Sequence, residues 1–232
     1  MKRIAGFDRP GLTAELDLEG QAVLSGLLTP GECDAMAEIC ADASLFCETL
    51  SLATVDRGQG ELRRFAPRVP PLLRALQEML YAQLAPVANH WNGALGLDER
   101  YPADLDGFLQ ECRQAGLRGA KWSMSRLCKR DYLALHRSSE AAHVFPVEVS
   151  VLLSEPDRDF TGGEVVMTEQ RPRMQSRPMV VPLRRGDAAL LAGHQRPLKG
   201  SNGYYRVSQK HAVSQVRSGK RIAVDLQFQD AP

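Results

Sequence analysis

The stretch HAVSQVRSGKRIAVDLQF, running from His211 to Phe228, decides the fold. Its second half alternates strictly. Arg221, Ala223, Asp225 and Gln227 fall on one face of a strand, and Ile222, Val224, Leu226 and Phe228 on the other. The apolar face is expected to pack on helices. The polar face is expected to line an interior cavity, which is unusual for a barrel unless something polar binds there. A turn is expected near Ser218-Gly219. A three-residue loop of Arg217, Ser218 and Gly219 puts glycine where a left-handed conformation is wanted. Val216 then pairs with Lys220 and Gln215 with Arg221, so His211 and Arg221 share a face. A two-residue loop places them on opposite faces, so the inference depends on turn type.

Working outward, short period-two runs occupy 121–127, 131–136, 147–153, 163–168, 178–183, 187–192 and 204–213 before the closing run at 221–228. About eight short strands without intervening helices point to a sandwich or barrel. The first half reads helical. Thr29-Pro30-Gly31-Glu32 combines an N-cap, a proline at the first helical position and a glutamate three residues after the cap, ahead of CDAMAEICADAS. Leucines at 72, 73, 76, 80 and 84 form a stripe over 71–84, and a weaker helix spans about 104–114, ended by Ala115-Gly116. No linker divides the halves. The expectation is one domain over 1–232, mainly β with N-terminal helices: a mostly helical layer at 1–118 against a β core at 119–232.

Composition narrows the class without naming a partner. Twenty-nine basic residues against 28 acidic leave no global field to attract polyanions. No run approaches membrane-spanning length, and MKRIAGFDRPG lacks the apolar core of a signal peptide. Five cysteines (33, 40, 47, 112 and 128) follow no metal-ligand spacing. The seven-residue recurrence of the first three puts Cys33 and Cys40 on a core-facing helix stripe. A cytoplasmic, soluble protein is expected.

Several segments together resemble the Fe(II)/2-oxoglutarate oxygenase superfamily. They are His136 with HVFP at 143–146, VLLSEPDRDFTGGEVVMTEQRPRMQSR at 151–177, PLRRGDAALL at 182–191 and YYRVSQKHAVSQVRSGKR at 204–221. The likeness is closest to a bacterial prolyl-hydroxylase-like subgroup described as acting on damaged DNA, and it covers roughly 120–231. It implies a double-stranded β-helix (jelly-roll or cupin-like) barrel with Fe(II) and 2-oxoglutarate as cofactors. In such a site two imidazoles and a carboxylate take one face of the iron, leaving three positions for cosubstrate and O2. By resemblance His136 and His211 are the metal ligands. Arg221 pairs with the far carboxylate of 2-oxoglutarate, where a guanidinium fork gives a bidentate match. Arg126 and Tyr132 are retained from the family's approach to the first histidine and are assigned to the cosubstrate side.

The departure falls at Ser138, where the family carries its acid two residues after the first histidine. Three readings stay open. A hydroxyl or water fills the place and leaves room for an exogenous anion, as in the superfamily's halogenases. Glu140 or His143 substitutes. Or metal is lost and the barrel is a catalytically inactive binding module. The leading expectation is an oxygenase with an atypical two-histidine site that oxidises a C–H bond of a small-molecule or nucleotide-like substrate. Arg171, Arg173 and Arg177, together with Arg184 and Arg185 and opposed by one acid, Glu169, are the candidate anion contacts. The loop lacks interleaved aromatics, which argues against a base-stacking nucleic-acid platform. Arg196 and Lys199 are expected on the same rim, and Trp91 and Trp122 are expected to pack.

Overall fold

A computed structural model describes residues 9–116, 121–137 and 145–228. The N-terminal part comprises α1 (Arg9–Glu19), β1 (Gln21–Leu24), α2 (Pro30–Glu38), β2 (Phe46–Ser51), β3 (Gly58–Gln59), β4 (Glu61–Phe65), α3 (Pro71–Ala94) and α4 (Leu105–Gln114). Strands follow: β5 (Lys121–Cys128), β6 (Tyr132–His136), β7 (Val147–Leu152), β8 (Phe160–Gly162), β9 (Val165–Gln170), β10 (Arg177–Val181), β11 (Ala188–Ala192), β12 (Gln195–Gly200), β13 (Gly203–Val213) and β14 (Val216–Gln227). They form two antiparallel sheets. The first runs β1-β11-β7-β14-β5-β4-β2 with β8 beside β14; the second runs β10-β9-β13-β6-β3 with β12 beside β13. This is the double-stranded β-helix expected.

Local chemistry explains the helices. Thr29 accepts from the Glu32 amide and Glu32 accepts from the Thr29 amide, which completes the capping box and starts α2. Asp104 caps α4 through the Gly107 amide. The stripe of α3 runs on past Pro86, so the helix reaches Ala94 rather than ending near 84. Its Leu73, Leu76, Leu80, Leu84 and Trp91 are buried in one cluster with Trp122, Met124, Val224, Leu226 and Phe228 of the first sheet. At about 1.5–3 kcal/mol per fully buried leucine, this contact is what attaches the helices. Cys33 and Cys112 are buried, whereas Cys47 is exposed on β2; the Cys40 side chain lies outside those described.

Two expectations change. The 1–118 segment also supplies β1 to β4, which extend both sheets. And β13 and β14 are not a hairpin. They belong to opposite sheets, and the chain crosses between them at Ser214-Gln215, while Val216, Ser218 and Gly219 pair with β8. Gly219 is left-handed (φ 74°), but for another reason: a Cβ there would sit 2.0 Å from the Asp159 carbonyl oxygen. His211 and Arg221 line one cavity because their sheets face each other, not because they share a strand face.

Candidate active site

The two facing sheets enclose a cavity of about 120 Å³. That is room for a small ligand rather than a single water. His136, His211, Glu148, Arg221, Asp225 and Gln227 all line it. The polar face of β14 therefore points inward as its alternation requires, with Val224, Leu226 and Phe228 in the core against α3.

His136 of β6 and His211 of β13 stand directly opposite in the strand register, with ring centroids 4.2 Å apart at 60°. A bulge sets this geometry. Val213 pairs with Leu133, two residues along β13 but three along β6. The extra residue puts Leu133 on the cavity side with His136 and turns Tyr132 outward, where it is 38% exposed. Simple alternation from His136 predicts the reverse. His136 Nδ1 lies 3.0 Å from the Ala134 carbonyl oxygen and donates to it. That bond fixes the tautomer and leaves Nε2 with the lone pair. Burial, then the neighbouring His211 ring, pushes His136 down to about 4. Burial and Arg57 push His211 to about 4 as well. Both rings are neutral at physiological pH, which is the ligating form.

Arg221 is 1% exposed, and its Nε has no hydrogen-bond partner among the described residues. Its stem leans on Gly163, where a Cβ would come within 3.1 Å. Burial pushes the guanidinium pKa down, and the charge of Asp225 opposes this without reaching an ion pair among the described residues. Asp225 is instead held by Ser150 at 2.5 Å and Ser125 at 3.1 Å. Its burial raises the carboxyl pKa against those bonds and against Arg221. A buried cation short of a partner costs several kcal/mol unless a ligand anion supplies one. The cavity thus holds a neutral imidazole pair and, on the facing sheet, a guanidinium suited to a carboxylate.

Glu148 is the cavity residue the sequence reading missed. It is buried on β7, with Oε2 3.5 Å from His211 Nε2 and Oε1 accepting from Gln227 Nε2 at 2.9 Å. The signal was an acid inside the apolar run Val147-Glu148-Val149. Other expected site residues lie elsewhere. Arg126 pairs with Glu61 at 2.9 Å and does not line the cavity. Arg171 pairs with Glu169 at 2.7 Å, Arg177 with Glu19 at 2.5 Å, and Arg173 is exposed with φ 61°; none of the three lines the cavity. Arg196 is not on a rim. It is fully buried, donating to Glu169 and to the carbonyls of Asp17 and Leu18. Trp91 and Trp122 pack, each 1% exposed. Ser138, Glu140 and His143 lie outside the described residues.

Residues 60–231 match the family model Oxygenase-NA, described as "Oxygenase, catalysing oxidative methylation of damaged DNA". The chain belongs to this family. It is similar to uncharacterized proteins of two Mycobacterium tuberculosis strains, each 36% identical over 160 residues and 69% of either chain. In fold it is similar to a Pseudomonas putida prolyl-4-hydroxylase (11% identity, TM-score 0.57, 97% of this chain and 100% of that one). It is also similar to a Trichoplax adhaerens prolyl hydroxylase (15%, 0.58, 96% and 89%). A 2OG-Fe(II) oxygenase-family oxidoreductase from Burkholderia pseudomallei (17%, 0.56, 97% and 92%) is a third such neighbour. This Oxygenase-NA member is an oxygenase by family, with the fold of these prolyl hydroxylases and of the 2OG-Fe(II) oxidoreductase. Among the described residues, no helix is long and apolar enough to cross a membrane.

Proposed function

We propose that the chain oxidises a C–H bond of an anionic, nucleotide- or nucleic-acid-like substrate, with the metal on His136 and His211 and 2-oxoglutarate on Arg221. The observation that carries this reading is the buried Arg221 guanidinium, without an ion-pair partner among the described residues, in the same cavity as two neutral, facing imidazoles. Fe(II) with 2-oxoglutarate supplies the O2 activation. The chain's own residues bind and orient. Arg221 receives the far carboxylate of the cosubstrate, and the Ala134 carbonyl keeps His136 Nε2 aimed as a donor. Leu52, Leu133 and Val213, also at the cavity, exclude water around them.

Substrate charge is read from the lining. Arg57, Arg64 and Lys121 contribute to the same cavity, Arg64 while paired with Glu48, whereas Arg171 and Arg177 lie away from it. The reading therefore takes the lining cations, rather than the 171–177 segment, as the substrate contacts. The family description, with its damaged-DNA substrate, supports the same chemical class.

The test is anaerobic addition of Fe(II) and 2-oxoglutarate, with the visible metal-to-ligand charge-transfer band as readout. A band is expected in the wild type, lost in H211A and lost in R221M. No band in the wild type at saturating Fe(II) defeats the reading.

A further inference from the structure

We infer that Glu148, on the strand facing β6 across the cavity, supplies the anionic metal ligand that position 138 lacks. This rests on the two-histidine reading above and deepens it. Four observations converge. The sequence has serine where a third, acidic ligand is expected. Glu148 is a buried carboxylate lining the same cavity as both histidines. Its Oε2 stands 3.5 Å from His211 Nε2, longer than the roughly 2.7–3.2 Å of a good N–H···O bond. Two donors each about 2.1 Å from one ion and about 90–109° apart are separated by roughly 3.0–3.4 Å, so the pair is close to the spacing of ligands sharing a cation. Finally, Gln227 holds the other oxygen at 2.9 Å, as outer partners orient ligating carboxylates.

Among the described residues no three such groups already surround one metal-sized point. Binding therefore draws the Glu148 carboxylate inward by side-chain rotation, with Gln227 as a positioning residue. Asp225 is the competing acid. Ser125 and Ser150 both donate to it, and it neighbours Arg221 in charge, so it faces the cosubstrate end. An acid on β7 in place of the one missing at position 138 keeps the site's charge. It also leaves no coordination place that only an exogenous halide fills.

The test uses Mn(II) alone, followed by loss of the free-ion EPR signal and by calorimetry, so that no turnover is needed. Wild type is expected to bind one ion, and H136A and H211A to lose it. E148Q, which keeps size and a partner for Gln227, is expected to weaken binding about 100-fold or more, beyond the 10–100-fold typical of outer-shell partners. S138D in the E148Q background restores affinity, and E148D, which retains the charge, binds between wild type and E148Q. Chloride leaves wild-type affinity unchanged. Wild-type affinity in E148Q with loss in H211A overturns the assignment while sparing the two-histidine site, as does loss in D225N but not E148Q. Wild-type affinity in H136A and H211A overturns both.

Discussion

At the scale of single residues, Arg221 shows how a functional charge is carried at the expense of the fold. The side chain is 1% exposed, its Nε lacks a partner among the described residues, and Asp225, the acid whose charge acts on it, is turned to two serines. Exchanging an unpaired buried charge for an apolar side chain of similar length removes the desolvation cost. R221M is therefore expected to stabilise the cosubstrate-free protein by about 1–3 kcal/mol in urea unfolding while abolishing 2-oxoglutarate binding in calorimetry. Most core substitutions destabilise, so a gain in midpoint is diagnostic. A loss of stability in R221M means that the guanidinium already has its anion within the fold. Glu148 is the opposite case. A lone acid among valines was visible in the sequence, but its meaning depended on which residues the second sheet would bring across from it.

At the scale of elements, α1 is joined to the barrel by charge as well as by apolar contact. Arg196 on β12 reaches the Asp17 and Leu18 carbonyls at the end of α1 and also Glu169 on β9, while Gln209 on β13 donates to the Glu19 carbonyl. Burial pushes the Glu169 carboxyl up, but the bonds and charges of Arg171 and Arg196 outweigh it and hold the group below the usual range. E169A strands Arg196 in the interior and is expected to cost about 3–5 kcal/mol by chemical denaturation. E169L with R196M is expected to recover much of that loss. Equal losses in the single and double variants rule out an uncompensated charge as the cause. None of this was legible from pattern, because Arg196 sits among loop-like residues that read as a polar rim. The alternation in β5, β7, β9 and β14 was legible, since each strand is apolar toward one layer. The β6 bulge was not: one inserted residue reverses which side chains face inward and leaves no mark in composition.

At the scale of the whole molecule, the cavity couples the barrel's stability to pH. In the metal-free protein His211 is buried and neutral, with its pKa pushed down to about 4, whereas an unfolded imidazole takes up its proton near 6.5. Between those values the unfolded chain binds more protons, so stability must fall as pH drops from about 6.5 toward 4, by about 3 kcal/mol for this group. His136, also near 4 and beside it, adds to the same slope. The groups facing them divide. Arg57 lowers both rings, Glu148 opposes on His136, and Asp225, with its raised pKa, takes up a proton on folding and flattens the slope from the other side. Urea unfolding in the presence of chelator, repeated across pH 7.5 to 4.5, is expected to show this loss. H211Q is expected to shrink it, and D225N to steepen it. Saturating Mn(II) is expected to deepen the acid loss, because protons then compete with the ion for the same nitrogens. A pH profile unchanged by H211Q means that the acid sensitivity arises elsewhere in the fold.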